Sequence, residues 1–190
     1  MIFEVVIITI DSDNIPNVAP MGITKINDVI VLKPFKPSQT LENILNTKNA
    51  VLNITTDVEV FAACITGKKE FDLEPIEGEK AFRLKNTISF SHLTLEKFID
   101  DDIRPQLLMK QKKVCQLNEF LGLNRAQAAV VEGSILASRL KMLPIKKIRS
   151  EMEYLRIAIS KTGGVAEKKA WSWLEDAVKN YEKEIKKKLK

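Results

Sequence analysis

The residues best suited to binding chemistry lie within residues 17–43, NVAPMGITKINDVIVLKPFKPSQTLEN. Pro20 cannot donate a backbone hydrogen bond to a neighbouring strand, and we expect it to interrupt a strand there. The backbone groups of Met21, Gly22 and Ile23 would then be available to a ligand, and Gly22 would let a flat molecule approach closely. The segment therefore predicts a contact between exposed backbone and a planar ligand.

A second feature of the same segment predicts an anion site. Lys33 and Lys36 flank a proline-rich turn, and the chain then enters a helix for which Ser38 or Thr40 can serve as the N-cap. The first amide N–H groups of a helix have no partner inside it and carry partial positive charge, so they attract anions. The alternative is purely structural: Ser38 and Thr40 would also cap a helix that binds nothing, and Pro20 would also mark an edge strand. Spacing alone favours neither interpretation.

Short segments rich in Ile and Val predict an antiparallel sheet with short helices in the first half of the chain. Turn sequences such as DSDNIPN and IND separate these segments. The expected elements, in chain order, are strands at 2–10, 17–24 and 29–32, a helix at 40–47, a strand at 50–54, a short helix capped by Asp57 and continuing to Ala63, a polar loop at 67–82, and strands at 86–95 and 112–120.

After Gly122 the hydrophobic period becomes that of helices. One helix is expected to start at the cap Asn124. A second is predicted by apolar residues at steps of four, three and four, and it ends at a C-cap signal, Thr162-Gly163-Gly164. The residues of that period are Ile148, Met152, Leu155 and Ile159. The last helix is expected to bury a stripe of Ala166, Ala170, Trp173, Leu174, Ala177, Tyr181 and Ile185.

Arg125, Glu132 and Arg139 are seven residues apart and would share one face of the first of these helices with small and apolar residues. Such charges could form ion pairs with another element or with a second subunit. They could equally lie at the edge of the apolar stripe and point into water. The sequence leaves both interpretations open.

The composition, with 45% hydrophobic residues, permits a sizeable core. No apolar run is long enough to cross a bilayer, and MIFEVVIITI indicates a strand without the basic start of a signal peptide, so we expect a cytoplasmic location. Cys64 and Cys115 are too few for a disulfide framework and are expected to be half-buried thiols. His92 is the single histidine, so we predict no metal site and no catalytic triad, and expect a local structural role for it.

The net charge of +5 comes from the C-terminal half of the chain. Residues 1–100 contain 10 basic and 14 acidic side chains, whereas residues 101–190 contain 20 and 11. A basic surface can contact nucleic acid, but these lysines are not interleaved with aromatic residues as on a base-stacking surface. The final residues, KEIKKKLK, are typical of the C-terminal end of a helix, which favours cations. Nucleic-acid binding is therefore the disfavoured alternative.

The order of several segments resembles a largely archaeal family of uncharacterised proteins. The segments are EVVIITI, PNVAPMGI, a lysine- and proline-bearing strand end, SQTLENI, AVLNIT, NRAQAAVVE and SKTGG. The family has an FMN-binding split barrel, related to the flavin reductase and pyridoxamine-phosphate oxidase barrels, followed by helices. The resemblance implies an α+β fold: an antiparallel split β-barrel with short helices at residues 1–121, and a C-terminal helical segment at residues 122–190 that packs on the barrel or on a dimer partner.

The resemblance also implies a cofactor, FMN, and a homodimer with the flavin near the subunit interface. The isoalloxazine would lie against Pro20, Met21, Gly22 and Ile23. The phosphate would be bound by Lys36, Ser38, Gln39, Thr40 and Asn43. Asn53 resembles a polar strand position of flavin reductase barrels and is a further candidate, although it could simply satisfy local backbone.

Three functions are compatible with these expectations. The first is an FMN-dependent oxidoreductase of unknown substrate that holds a small-molecule electron donor transiently. The second is a flavin-binding or sensory protein without turnover. The third is a nucleic-acid-binding protein that uses the basic helices. The sequence offers no acid or base for a particular reaction, so no catalytic residue is predicted.

Overall fold

A computed structural model describes residues 1–68 and 70–188 of the chain. In chain order its elements are β1 (Phe3–Ile10), β2 (Pro16–Ile26), β3 (Val29–Leu32), α1 (Gln39–Thr47), β4 (Asn49–Ile54), α2 (Glu59–Thr66), β5 (Leu73–Pro75), β6 (Phe82–Leu84), β7 (Ser89–Ile99), β8 (Gln106–Gln111), β9 (Cys115–Gln116), α3 (Arg125–Ser138), α4 (Ile145–Thr162) and α5 (Val165–Lys188). The chain forms two units. The barrel unit comprises residues 1–56 and 71–120, and the helical unit comprises the described residues within 57–70 and 121–190.

The barrel unit is built on six antiparallel strands in the order β4-β1-β2-β3-β8-β7, and pairing of β7 with β4 closes the sheet on itself. Two residues of β9 extend β7, and β5 pairs with β6 as a separate hairpin. This architecture confirms the predicted α+β class with an antiparallel split barrel. Closure removes the free sheet edges of an open sheet, except where neighbouring strands differ in length.

Alternate residues of each strand point to opposite faces of the barrel wall. In β1, Val5 and Ile7 belong to the interior cluster, together with residues of the other strands. Leu41 and Ile44 of α1 join that cluster and are 5% and 0% exposed. Burying such side chains stabilises the fold by about 1.5–3 kcal/mol each, so the position of α1 on the barrel is fixed.

The outer face of β1 and β4 is also buried over part of its length, because β6 packs against it. Val6 and Ile8 alternate with the interior residues of β1, yet they are only 0% and 1% exposed. The backbone N–H of Leu84 in β6 donates to Oδ1 of Asn53 in β4 at 2.9 Å. Residues 67–82 were expected to form a polar loop only, so β5 and the start of β6 are corrections to that prediction.

Three strand predictions need correction. Pro20 does not interrupt its strand, because β2 runs on to Ile26 and Pro20 is paired with Val6 of β1. The strand expected at 112–120 is absent apart from Cys115–Gln116, and the strand that completes the barrel is β8, which had not been predicted. The strand expected at 86–95 lies at Ser89–Ile99. The sequence LLMKQ lacks strict alternation, so its partners β3 and β7 decide its conformation.

The helical unit buries an apolar core between α2, α3, α4 and α5. Asn124 caps α3 as predicted, accepting from the N–H groups of Ala126 and Gln127, and α4 ends at Thr162 with Gly163 as its C-cap. The buried stripe of α5 is shifted from the expected one. Its buried members are Ala170, Trp171, Leu174 and Val178. Trp171 takes the central place expected for Trp173 because it packs against Gly133 of α3, where an added Cβ would lie 2.8 Å from the indole ring.

Two further helix predictions have mixed outcomes. α2 exists, but its N-cap is Val58 without a side-chain cap, and Asp57 instead accepts from the N–H of Glu59 at 3.2 Å. Arg125, Glu132 and Arg139 are all exposed and form no ion pair with the described residues of the chain. Contact of that stripe with a second subunit stays a prediction.

Candidate functional site

One edge of β2 lacks a partner strand over the residues that the sequence had indicated. Pairing with β1 extends from Pro16 to Ile23, whereas β3 pairs only with Ile23–Ile26. Within the part of the chain that the structure describes, Pro20–Gly22 therefore has a neighbouring strand on one side only. The open edge arises from the shortness of β3 and not from a break at Pro20, which fits because a proline tolerates an edge position.

The side chains of this stretch face two ways. Ile23 lies in the interior cluster and is 4% exposed, so it can offer a ligand little more than its backbone. Met21 packs against that cluster but is only partly buried, so part of its side chain is also accessible. Gly22 lies opposite Glu4, and a Cβ added to it would meet Cγ2 of Ile2 at 2.9 Å. Packing against Ile2 is therefore one reason for glycine at this position, beside the predicted approach of a flat ligand.

The N-terminus of α1 offers backbone donors of the kind that bind an anion. Ser38 is the N-cap, and its hydroxyl accepts from the N–H of Leu41 at 3.1 Å. The N–H groups of Gln39 and Thr40 donate no hydrogen bond to the described part of the chain. Two donors at the positive end of the helix dipole thus remain for a ligand.

A polar cluster at the same end of α1 ties the helix to the barrel. Nδ2 of Asn43 donates to Oγ1 of Thr9 at 3.0 Å, and Nδ2 of Asn17 donates to Oγ1 of Thr40 at 3.1 Å. Nε2 of Gln39 donates to Oδ1 of Asn43 at 2.8 Å. Thr9, Thr40 and Asn43 are 2–4% exposed, so these bonds replace water that the groups have lost. The Thr40 hydroxyl accepts one bond and can still donate one.

The loop before α1 is contacted by a second loop that the sequence analysis had not considered. Nζ of Lys36 lies 2.5 Å from Oδ1 of Asp100, and this bond holds the pKa of the exposed Asp100 carboxyl below its usual value. The guanidinium of Arg104 lies 4.4 Å from the centre of the Phe35 ring and donates to the carbonyl of Lys33. Arg104 therefore adds a permanent cation beside the loop.

Asn53 differs from the other predicted residues because its amide already has partners within the barrel. It is 0% exposed. Its Oδ1 accepts from the N–H of Leu84, and its Nδ2 lies 3.3 Å and 3.4 Å from the carbonyls of Val51 and Val6. This geometry matches the structural alternative for Asn53, namely satisfaction of local backbone.

A separate cavity of about 470 Å³ lies on the outer face of the barrel. Its walls come from the ends of β1 and β4, the turn after β1, the loop before β6, and His92 of β7. Oε2 of Glu79 lies 2.7 Å from Nδ1 of His92, a contact that suits the local structural role expected for this histidine. None of the residues proposed above for FMN lines this cavity.

The remaining candidate groups are the two cysteines and the side chains that could bind a metal ion. Both cysteines are half-buried, as predicted, and burial raises the pKa of the Cys64 thiol to about 12. Within residues 1–68 and 70–188 no group of three or more His, Cys, Asp or Glu side chains could hold a metal ion.

Across the same residues, no helix has the length and apolar character that a membrane span requires.

The chain belongs to a protein family of unknown function, DUF447. The model of the family's N-terminal domain matches residues 3–117, and a second DUF447 model matches residues 124–176. The first match spans β1 to β9, and the second spans α3, α4 and the first half of α5. The resemblance drawn from the sequence is thereby confirmed at the level of the family.

Several solved structures share the fold. An FMN-bound DUF447 protein from Methanosarcina mazei superposes with a TM-score of 0.79 at 26% identity, covering 93% of this chain and 94% of that one. A flavoredoxin from Methanosarcina acetivorans gives a TM-score of 0.53 at 11% identity over 63% and 70% of the two chains. The 2-nitrobenzoate 2-nitroreductase of Pseudomonas fluorescens gives 0.51 at 17% identity over 60% and 64%. The last two likenesses are of fold alone.

Proposed function

We propose that this protein is a flavoprotein that binds FMN at the N-terminus of α1 and along the open edge of β2. The observation that carries the proposal is the FMN-bound relative from Methanosarcina mazei, which is similar over almost the full length of both chains. Two features of this chain support it independently. The unpartnered N–H groups of Gln39 and Thr40 suit a phosphate, and the one-sided edge at Pro20–Gly22 suits the rim of a planar ring.

Each proposed residue has a distinct task at the phosphate. The amides of Gln39 and Thr40 and the Thr40 hydroxyl donate hydrogen bonds, which are stronger to a charged acceptor than to a neutral one. Lys36 supplies positive charge, and its exposed ion pair with Asp100 can be exchanged for phosphate at small cost. Ser38 keeps the helix end in place as the cap, and Asn43 holds α1 to Thr9 of β1. Arg104 adds a second cation to the same loop region.

We further propose that the protein acts as an FMN-dependent oxidoreductase with a small-molecule electron donor held transiently. Bound FMN would supply the redox chemistry, and the residues above would bind and orient it. The fold it shares with a nitroreductase and a flavoredoxin is consistent with this class. The alternative is flavin binding without turnover. Bleaching of the flavin spectrum by nicotinamide or deazaflavin donors under anaerobic conditions supports the oxidoreductase, and failure of every such donor favours the alternative.

A homodimer is proposed from the exposed apolar surface of the barrel unit. Ile2, Phe3 and Ile26 are 70%, 48% and 58% exposed, although they lie in or beside β1 and β2. Burying such large exposed apolar side chains would favour an interface between subunits. Light scattering should report twice 21.5 kDa. A monomer that holds FMN as tightly as a dimer would contradict a flavin site shared between subunits.

The phosphate site is tested by comparing FMN with riboflavin, which lacks the phosphate. Thr40→Ala removes one hydroxyl donor and should weaken FMN binding by roughly 1.5–3 kcal/mol, because the acceptor is charged. Riboflavin affinity, measured by fluorescence titration, should barely change. Thr66→Ala is the matched control, since the Thr66 hydroxyl donates only to the carbonyl of Ala62 in α2. Equal losses for both flavins in Thr40→Ala would show that Thr40 supports the fold without contacting phosphate.

A further inference from the structure

The outer face of α3 carries few charges for a helix at a protein surface. Only two of its 14 residues, Arg125 and Glu132, are charged, and the rest are apolar or small except Gln127. The inner face of α3 lies in the core of the helical unit. A surface helix normally carries charged and polar residues along the face opposite its core stripe. The composition of α3 therefore favours a further packing partner for its outer face.

A groove of about 250 Å³ lies between α3 and α4. It is lined by Arg125, Ala128 and Glu132 of α3 and by Tyr154 and Ile157 of α4, among others. Tyr154 and Ile157 are 74% and 46% exposed. Removing the apolar surface of these two side chains from water would favour association with another molecule at this groove.

The two charges of the groove lie at separate places along α3. Neither Arg125 nor Glu132 forms an ion pair within the described part of the chain, and both are exposed. Seven residues of helix span roughly 10 Å, so the two charged groups are also poorly placed to pair with each other. The groove therefore has one positive end and one negative end.

A groove of this kind is complementary to a second copy of itself. Two copies of α3 can run antiparallel across a two-fold axis between Ala128 and Ala129, the midpoint of residues 125–132. That axis places Arg125 of each copy opposite Glu132 of the other. Parallel copies would instead place like charges side by side, which costs free energy. Ala128 is exposed and small, so the two helices can approach closely at the axis.

The groove also selects between two antiparallel registers. Arg139 is as far from Glu132 in sequence as Arg125 is, so an axis between Ile135 and Leu136 would pair Glu132 with Arg139. Arg139 does not line the groove, and it lies at the C-cap of α3, beyond its last helical residue. The larger side chains at that second axis would also hold the two helices further apart. The register that uses Arg125 is therefore favoured.

We propose that two copies of this chain associate through the groove between α3 and α4, with Arg125 of each copy bound to Glu132 of the other. Tyr154 and Ile157 of each copy are covered in the same interface. The contact lies within the helical unit, so it is distinct from the apolar surface proposed above for an interface of the barrel unit. It does not rest on flavin binding.

Charge reversal tests the pairing, because each single variant should repel itself and attract the other variant. Sedimentation velocity over a range of protein concentrations gives the dissociation constant of the assembly for the purified protein with its bound flavin. Arg125→Glu puts two like-charged pairs into the interface, and so does Glu132→Arg, so each should raise the dissociation constant by about tenfold or more. An equimolar mixture of the two variants should return to the value of the unaltered protein, since every pair in the mixed dimer again has opposite charges.

Two further variants complete the test. Arg139→Glu is the matched control, because it reverses a charge on the same helix outside the groove, and it should leave the dissociation constant unchanged. Arg125→Gln removes the charge and keeps most of the side chain, so it should raise the dissociation constant less than Arg125→Glu does. It keeps the test valid if a charge-reversal variant fails to fold.

Several outcomes would overturn the proposal. A mixture no tighter than its two components would show that Arg125 and Glu132 do not face each other, and a loss in Arg139→Glu equal to that in Arg125→Glu would contradict the register. Unaltered protein that stays monomeric at every concentration would exclude the interface altogether. A dimer whose dissociation constant none of these substitutions changes would also exclude it, while leaving the barrel-unit interface as the site of association.

Discussion

The barrel unit and the helical unit bury polar groups to very different extents. Of the eight buried polar side chains among the described residues, seven belong to the barrel unit: Thr9, Thr40, Asn43, Asn53, Thr87, Ser89 and Ser91. The helical unit has one, Ser134, and its hydroxyl donates to the carbonyl of Val130 in the same helix. In the barrel unit such groups connect different elements, as Asn43 connects α1 to β1.

This difference indicates that the barrel unit is the better suited of the two to hold a binding site. A buried hydrogen bond between elements fixes both position and orientation, which a binding site requires, but it costs stability if either partner is lost. Apolar packing of small and large side chains, as at Gly133 and Trp171, fixes helices against each other without creating donors or acceptors. We therefore expect the helical unit to lose stability mainly when apolar packing is removed. The barrel unit should lose stability mainly when a buried hydrogen-bond partner is removed.

The largest expected effect is on packing in the helical unit. Leu174 is 0% exposed, so Leu174→Ala should lower the free energy of unfolding by about 2–5 kcal/mol through the lost transfer energy and the cavity left behind. Leu123→Ala, at a side chain that is 97% exposed, is the control. The measurement is urea-induced unfolding followed by circular dichroism. Equal midpoints for the two variants would refute the assigned core of the helical unit.

A smaller effect is expected from a polar partner in the barrel unit. Asn43→Ala removes the donor to Thr9 and the acceptor for Gln39, so it should cost about 1–3 kcal/mol of stability. It should also weaken FMN, because α1 is no longer held to β1. Asn86→Ala, at an exposed asparagine of the same unit, should change neither quantity. An Asn43→Ala protein of unaltered stability would mean that the cluster at α1 is dispensable.

The smallest expected effect is a pH dependence that belongs to His92. Because its pKa is lowered in the folded protein, the unfolded chain binds the proton more readily, so stability should be constant above pH 6.5 and fall as the pH drops below that value. Burial is the main cause of the lowered pKa of His92; Glu79 opposes the shift and Lys112 supports it. Thermal melting of the wild type and His92→Gln between pH 5 and pH 8 tests this. Parallel pH profiles for the two proteins would exclude His92 as the origin.

The sequence predicted those features that depend on neighbouring residues. Ser38 and Asn124 were predicted as possible helix caps, and both are N-caps because a short polar side chain reaches the amides of the next turn. The steps of four, three and four located α4, and the Ile- and Val-rich segments located β1, β3 and β4. Family and fold followed from the order of such segments. These features arise from local backbone preference and from hydrophobic period, which the chain carries in its own order.

Only the tertiary structure decided the features that depend on residues far apart in the chain. β8 becomes a strand because β3 and β7 offer it partners, and Pro20 stays inside β2 because the edge beside it is open. The bond of Asn53 to Leu84, the approach of Arg104 to Phe35 and the pairing of His92 with Glu79 each join separate segments. Such contacts are set by barrel closure and loop packing, whose energies come from the whole fold and leave no periodic pattern in the sequence.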